Sequence, residues 1–119
     1  VSTPLTDQTR DLVDAKFLGA MKPGSVLVNV GRGAIVVDEA LVEAVQNGTP
    51  GYAVLDVFRE EPLGTEHAFW NEPNIHITAH VSAWGDRLSE RSTAEFEANL
   101  RRFLAGKDLN KEVASPSSG

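Results

Sequence analysis

The amino-acid sequence predicts an α/β fold built on a parallel sheet. Short apolar runs rich in β-branched residues alternate along the chain with helix-like segments, and the connections between them are short. The apolar runs are nearly unbroken, as expected for strands of a parallel sheet that is covered on both faces. Such an alternation of strands and helices is typical of consecutive βαβ units, and the sequence contains no internal repeat. At 119 residues the chain is long enough for one small domain.

The first half of the chain predicts a helix followed by a strand. Asp14 is expected to cap the helix, with Val13 and Leu18 packing as a hydrophobic staple around its first turn. The Lys-Pro-Gly sequence at residues 22–24 should end it, because proline cannot continue a helix and glycine suits the turn. Residues 25–30 are then predicted to form a strand that is buried on both faces.

The same pattern continues through the middle of the chain. A second helix should begin with Asp38 as its cap and end at Asn47 and Gly48. Residues 52–57 predict a second buried strand, and residues 75–78 predict a third. Between them, the acidic and proline-containing residues 58–73 predict a loop whose unusual length hints at a function.

A final, longer helix is predicted after the third strand. Asp86 or Ser89 should start it, and Gly106 should end it. Its apolar residues fall on one helical stripe, formed by Phe96, Leu100, Phe103 and Leu104. The complete prediction is about three strands and three helices, followed by a tail over residues 106–119.

Composition excludes several classes of protein. The chain has 17 acidic and 11 basic residues and a net charge of −6, which argues against a nucleic-acid partner. It has no cysteine, and it contains no metal-binding HExxH, nucleophile GxSxG or phosphate-binding GxGxxG or GxxxxGK[ST] sequence, so no metal site is expected. No apolar run reaches the roughly 20 residues that span a bilayer, and no signal peptide is visible, so we expect a cytoplasmic protein without a membrane partner.

Polar residues gather where the three predicted strands end. Arg32 lies between two glycines after the first strand, Asp56 and Glu61 lie at and beyond the end of the second, and His80 follows the third. Ligands of open α/β sheets bind outside the carboxyl ends of the strands, so these side chains should converge on one site. The arginine could grip a carboxylate through paired hydrogen bonds, or it could simply pair with a structural carboxylate.

The remaining candidates each have two interpretations. His80 could exchange a proton near neutral pH, although a histidine at a strand end is more often structural. A nearby carboxylate would fix the tautomer of a catalytic imidazole and stabilise its protonated form, whereas Glu60 and Glu61 could equally belong to a solvated loop. Asp56 could cap a turn or contact a cofactor. His67 and His76 are expected to be structural or exposed.

Four ordered segments together resemble the NAD-binding region of the D-isomer-specific 2-hydroxyacid dehydrogenases. They are TPLTDQTR at residues 3–10, MKPGSVLVNVGRG at 21–33, LDVFREEPL at 55–63 and PNIHITAH at 73–80. The resemblance runs from about Thr3 to about Val113 and implies a partial Rossmann-like sheet, truncated on its N-terminal side. It implies that residues 1–105 are the C-terminal part of an NAD(P)-binding domain, with residues 106–119 as its tail.

The resemblance also implies roles for individual residues. Arg32 matches the arginine that holds the substrate's carboxylate and carbonyl, and His80 matches the histidine that protonates the carbonyl oxygen as hydride arrives. Glu61, and not Glu60, matches the glutamate that pairs with that histidine. Residues implied beside the NAD or NADP cofactor are Thr3, Val30, Gly31, Arg32, Asp56, His80, Ser82 and Ala83. The implied substrate is a small 2-oxo or 2-hydroxy acid, and the implied parent protein is a homodimer.

The sequence departs from the family pattern in three places. Ala79 stands where the family usually has proline. Trp84 lies close enough to the predicted site to influence substrate choice, or it could instead cover a domain junction. The upstream GxGxxG unit and the substrate domain of the family are absent from this sequence. We therefore expect the isolated chain to be inactive. Two other identities stay open: the C-terminal-binding corepressors, which are non-catalytic NAD(H)-sensing interaction modules, and an unrelated α/β fragment. Formate dehydrogenases are less similar, having Gln at the position of Glu61.

Overall fold

The computed structural model describes residues 1–111 and contains a three-stranded parallel sheet in the order β1-β2-β3. The strands are β1 (Val26–Asn29), β2 (Tyr52–Leu55) and β3 (Ile75–Ile77), and the helices are α1 (Ala15–Gly19), α2 (Asp38–Gln46) and α3 (Leu88–Leu104). Short 3₁₀ turns span Gly33–Ile35 and Ala68–Asn71, the second within the long loop before β3. The predicted α/β class, with three strands and three helices, is confirmed.

Helix α1 begins as the sequence predicts. The amide of Phe17 donates a 2.8 Å hydrogen bond to Oδ1 of Asp14, which is therefore the N-cap, and Leu18 is fully buried. Gly24 adopts a positive φ of 70°, in the turn that leads from α1 to β1.

The start of α2 differs from the prediction. The cap residue is Val37, which makes no side-chain capping bond, and Asp38 is already the first helical residue. The carboxylate of Asp38 lies instead with Oδ2 3.4 Å from Nε2 of His67. The expected cap was wrong because a side chain from the long loop competes for the carboxylate. Leu41 and Val45 are the buried residues of the helix.

The sheet is buried on one face rather than on both. In β1, Leu27 and Asn29 are buried while Val26 and Val28 are 53% and 43% exposed. Apolar side chains from the helices and the long loop cover the face that carries Leu27. The core on this face consists of Val13, Leu18, Leu27, Ile35, Val36, Leu41, Val45, Ala53, Leu55, Phe69 and Ile75. The prediction of burial on both faces of β1 was therefore wrong, because within residues 1–82 the helices and loops pack against one face of the sheet.

Helix α3 starts at neither of the predicted residues. Its cap is Arg87, which has a left-handed φ of 64° and forms a 3.0 Å ion pair with Glu90 in the first turn. That left-handed residue interrupts the helical path after Asp86, and Ser89 consequently lies inside the helix. Gly106, with a φ of 64°, follows the end of the helix as predicted. No residue of α3 is buried, and its apolar stripe includes Phe96 and Phe103 at 69% and 70% exposure.

The chain divides into two compact units, Val1–Ser82 and a second that starts at Ala83. The sheet, α1, α2 and all the candidate site residues except Ala83 belong to the first unit. The division predicted from sequence, 1–105 and 106–119, stays a prediction, and residues 112–119 lie outside the described range. Within residues 1–111, no helix is both long and apolar enough to cross a membrane.

Candidate functional site

The turn after β1 is held by a buried amide side chain. Asn29 is almost fully buried; its Oδ1 accepts a 3.1 Å hydrogen bond from the amide of Gly31, and its Nδ2 donates a 3.1 Å bond to the carbonyl of Arg32. These two bonds fix the direction in which the chain leaves the sheet. Sequence reasoning did not single out Asn29, although an amide within an otherwise apolar run is a visible signal that a polar partner lies nearby.

Arg32 is thereby presented at the carboxyl end of β1 with an exposed side chain. Its Nη1 donates a 2.7 Å hydrogen bond to the carbonyl of Gly31. The next residue, Gly33, packs so closely against the loop after β2 that a β-carbon there would overlap the backbone of Phe58 and Arg59. This glycine brings the arginine loop and the Glu61 loop together, which no larger residue would allow.

Glu61 and His80 form the central contact of the site. Nδ1 of His80 lies 2.7 Å from Oε2 of Glu61, and Oε1 of the same carboxylate accepts a 2.9 Å bond from the amide of Phe58. His80 has a left-handed φ of 54°. Residues held in this region often mark functional sites, and histidine adopts it more readily than most side chains.

The surroundings of Glu61 favour its ionised form. The hydrogen bond with His80, followed by the Phe58 amide, lowers the pKa of the Glu61 carboxyl below its ordinary value, although partial burial opposes the shift. The charges of His80 and Arg32 act in the same direction. A carboxylate held at Nδ1 of a histidine fixes the orientation and the tautomer of the imidazole.

Asp56 ends β2 and organises the loop that contains His80. It is 2% exposed, and its Oδ1 accepts hydrogen bonds from the hydroxyl of Thr78 and from the amide of Val81 at 2.9 Å. Its Oδ2 accepts a 2.8 Å bond from the amide of Ser82. The carboxylate therefore ties β2 to residues 78–82. This role was not predicted from the sequence, which offered a turn cap or a cofactor contact for Asp56.

The balance of burial and hydrogen bonding sets the ionisation of Asp56. Burial by itself raises the pKa of this carboxyl, but the hydrogen bonds from Ser82, Thr78 and Val81 outweigh it and hold the pKa far below the ordinary value of 3.8. The carboxylate is consequently charged throughout the neutral and mildly acidic range.

Arg32, Glu61 and His80 line one cavity of about 330 Å³. A second cavity, of about 290 Å³ and mostly apolar, lies beside the same pair and is lined by residues that include Trp70 and Ile77. The predicted convergence of the three strand ends is therefore observed. A guanidinium and an imidazole–carboxylate pair in one cavity can bind a carboxylate and exchange a proton with a neighbouring oxygen.

The other predicted site residues lie beside β1 or in the loop after β3. The amide of Val30 donates a 3.0 Å bond to the carbonyl of Val1, so the first residues run along the edge of β1. A β-carbon on Gly31 would lie 3.0 Å from the carbonyl oxygen of Thr3, which places these two residues side by side. Ser82 is held by Asp56, as described above, whereas Ala83 is the first residue of the second unit and its position beside the site stays a prediction.

The two other histidines have separate partners. His76 lies in β3 with Nδ1 3.2 Å from the hydroxyl of Tyr52, and His67 pairs with Asp38. Among the described residues, no cluster of three or more histidine or carboxylate side chains could hold a metal ion.

A parallel α/β sheet with this cluster at its strand ends defines a domain of the kind that binds its ligands outside the carboxyl edge. Residues 1–82 match the family model described as D-isomer specific 2-hydroxyacid dehydrogenase, NAD binding domain. The match covers more than half of the chain. The chain belongs to the D-isomer-specific 2-hydroxyacid dehydrogenase family, and this stretch is part of its NAD-binding domain.

Individual relatives agree with this family. The glyoxylate reductase of Aeropyrum pernix is 39% identical over 95% of this chain and 35% of its own length. The glyoxylate/hydroxypyruvate reductase B of Pectobacterium carotovorum is 40% identical over 90% of this chain and 33% of its own length. The chain thus spans about a third of the length of these relatives.

Solved structures agree with the fold. The D-isomer specific 2-hydroxyacid dehydrogenase from Xanthobacter autotrophicus, solved in complex with NADPH and MES, superposes with a TM-score of 0.87 at 32% identity. The superposition covers 96% of this chain and 46% of that one. The Rossmann-like fold predicted from the sequence is confirmed.

Proposed function

We propose that this chain carries the catalytic residues of an NAD(P)-dependent D-2-hydroxyacid dehydrogenase, which interconverts a small 2-oxo acid and the corresponding 2-hydroxy acid. The observation that carries this proposal is the 2.7 Å contact between His80 and Glu61, which faces the same cavity as Arg32. A 2-oxo acid has a carboxylate, which the guanidinium of Arg32 can bind, and a neighbouring carbonyl oxygen, which can receive a proton from the imidazole of His80.

Each of the three side chains has one task in the proposed reaction. Arg32 binds the substrate carboxylate and orients the adjacent carbonyl. Nε2 of His80 donates its proton to the carbonyl oxygen during reduction and takes it back during oxidation. Glu61 holds Nδ1, fixes the ring and stabilises the protonated imidazole before the transfer.

The residues present fit a nicotinamide dinucleotide along the carboxyl edge of the sheet. The Gly31 and Thr3 backbones adjoin there, the side chain of Val30 is 40% exposed, and Asp56 holds the amides of Val81 and Ser82 in a defined loop. The dihydronicotinamide, when bound, supplies the hydride that adds to the carbonyl carbon. The GxGxxG sequence that cradles a pyrophosphate is not in this sequence, so that portion of the cofactor needs residues outside it.

Turnover by a completed protein tests this proposal. We would fuse the upstream two thirds of the Pectobacterium carotovorum reductase before Val1 and follow NADH and NADPH oxidation at 340 nm with glyoxylate, hydroxypyruvate, pyruvate and phosphohydroxypyruvate. The fusion should turn over at least one of these acids, whereas the 119-residue chain alone should not, because orientation of cofactor and substrate requires both segments.

A histidine pair supplies the matched variants. His80→Asn should lower kcat by at least about a hundredfold, because the proton donor is lost, while His76→Asn should leave kcat within about twofold. Binding of NADH to the fusion can be measured by quenching of tryptophan fluorescence. If the fusion binds NADH but reduces none of the acids, the proposal of a dehydrogenase is refuted. That outcome would favour a dinucleotide-sensing module of the corepressor type.

A further inference from the structure

We propose that Arg59 is a positioning residue, which ties the loop carrying Glu61 to the body of the domain and so fixes the Glu61 carboxylate against His80. The inference rests on the proposed function only for its catalytic consequence. The tether itself is a matter of geometry and is testable in the isolated chain.

The guanidinium of Arg59 bridges three separate segments of the first unit. Its Nη2 donates a 2.5 Å hydrogen bond to Oδ1 of Asp11 and a 2.6 Å bond to the carbonyl of Val36, and its Nε lies 4.0 Å from Oδ2 of Asp38. Asp11 belongs to the loop before α1, Val36 follows the first 3₁₀ turn, and Asp38 opens α2. One side chain therefore connects the loop after β2 to three segments that precede the sheet's second strand.

The partner Asp11 has an unusual backbone conformation that serves this contact. Its φ is 55°, in the left-handed region, and its amide donates a 3.0 Å bond to the carbonyl of Ala34. Aspartate tolerates this region better than most residues, but the conformation is still uncommon and persists where surrounding contacts require it. The contact with Arg59 supplies such a requirement.

A short stretch of chain transmits the position of Arg59 to the proposed active site. Glu61 lies two residues after Arg59. One oxygen of its carboxylate accepts a hydrogen bond from the amide of Phe58, and the other oxygen contacts His80. The backbone of Phe58 and Arg59 also packs directly on Gly33, next to Arg32. Displacing Arg59 would therefore move the carboxylate relative to His80 and change its distance from Arg32.

A second interpretation of Arg59 is less consistent with its surroundings. It lines the same cavity as Arg32, so it could offer a second cation to a substrate with two acidic groups. Its guanidinium, however, already has the carboxylates of Asp11 and Asp38 beside it, and a cation paired in this way attracts a further anion weakly. The contacts favour a tether over a second anion site.

Asp11→Asn in the 119-residue chain is the decisive variant, because two effects on Glu61 have opposite signs. Removing a negative charge would by electrostatics alone lower the pKa of the Glu61 carboxyl further. Loosening the tether would weaken the hydrogen bonds to His80 and Phe58 and raise that pKa toward its ordinary value. Asparagine tolerates the left-handed backbone, so the fold is retained.

We expect the pKa of Glu61, followed by carboxyl ¹³C NMR, to rise in both Asp11→Asn and Arg59→Gln. Glu97→Gln, which breaks the 2.5 Å surface ion pair with Arg101 in the second unit, is the matched control and should leave the Glu61 titration unchanged. An unchanged or lowered pKa of Glu61 in Asp11→Asn would overturn the tether, whatever the chain catalyses.

Kinetics of the fused protein provide the second readout. Asp11→Asn should lower kcat by about ten- to a hundredfold with little change in KM, since misplacement of a group that acts on the proton donor slows the chemical step. A kcat equal to that of the unsubstituted fusion would contradict the proposal. A rise in KM confined to dianionic acids in Arg59→Gln, with kcat unchanged, would assign Arg59 to substrate binding instead.

Discussion

His80 combines an uncommon backbone conformation with the central side-chain contact of the site. Its backbone is left-handed, and its imidazole contacts Glu61, whose carboxylate also accepts a hydrogen bond from a loop amide. Asp56 has a corresponding role at the base of the same loop, where its buried carboxylate binds the amides of the residues that follow His80. The proposed chemistry therefore depends on two acidic residues whose pKa values are lowered by the hydrogen bonds that they accept.

Asp56→Asn should destabilise the first unit at neutral pH. The substitution replaces charge-assisted hydrogen bonds by neutral ones and aims an amide N–H₂ at donor groups, so we expect a loss of at least about 1.5–3 kcal/mol in the free energy of unfolding. Urea denaturation monitored by circular dichroism measures it. Asp7→Asn, at an exposed position, is the matched control and should change the free energy by no more than about 0.5 kcal/mol.

The same variant makes a prediction about pH. Because the folded-state pKa of Asp56 is lowered, its contribution to stability is fully present above the ordinary aspartate value of 3.8 and is lost as the pH falls toward the folded-state pKa. The difference in unfolding free energy between the wild type and Asp56→Asn should therefore be constant from about pH 7 to about pH 5 and shrink below about pH 4. A difference that grows on acidification would contradict the account of this carboxylate.

At the scale of the elements, the site is an assembly of three loops that follow three adjacent parallel strands. Parallel order forces the strand ends to one edge, and the pairing of Asn29 with Leu55 and of Leu55 with Ile77 sets them level. Contacts between the loops then fix them, and in one of these contacts the backbone of Phe58 packs against Gly33 so closely that a β-carbon would not fit. The arginine side and the histidine side of the site are joined there.

Gly33→Ala tests that junction. The added methyl group would overlap the backbone rather than a movable side chain, so one loop must shift, and we expect a destabilisation of at least about 1–3 kcal/mol. Gly64→Ala is the matched control, since a β-carbon there meets nothing within 4 Å and the residue has no positive φ. Urea unfolding of both variants should separate them; equal stabilities would mean that the loops do not depend on this close approach.

At the scale of the whole molecule, the two units differ in what stabilises them. The first has a continuous apolar core around the sheet, whereas α3 in the second unit buries no residue and exposes Phe96 and Phe103. A helix without a buried face depends on its own backbone bonds and side-chain pairs, which stabilise an isolated helix only marginally.

Hydrogen exchange should reveal this difference directly. In the 119-residue chain we expect the amides of α3 to exchange far faster than those of β2, which open only with the whole unit, and α2 should behave like β2 because Leu41 and Val45 are buried. NMR-detected exchange at neutral pH measures all three elements at once. Comparable protection of α3 and β2 would show that α3 has a stabilising partner.

Much of this architecture follows from local features of the sequence. The sequence predicted the cap at Asp14, the glycine that follows α3, the positions of the three strands and the presence of three α-helices. Each of these features depends on residues close together in the chain. The starts of α2 and α3 were missed by one or two residues. In α2, the long loop supplies His67 and Arg59 as partners for the carboxylate that would otherwise cap the helix.

The α/β class, the family and the set of residues that meet at the strand ends follow from the sequence alone, since motif spacing and parallel topology suffice for these. The contacts that hold those residues are visible only in the folded chain: Asn29 bonds to the arginine turn, Thr78 and the loop amides bond to Asp56, and Arg59 bridges three segments. These contacts join residues up to 48 positions apart in the chain. Local pattern cannot specify them, because hydrogen-bond partners at that separation are chosen by packing of the folded chain.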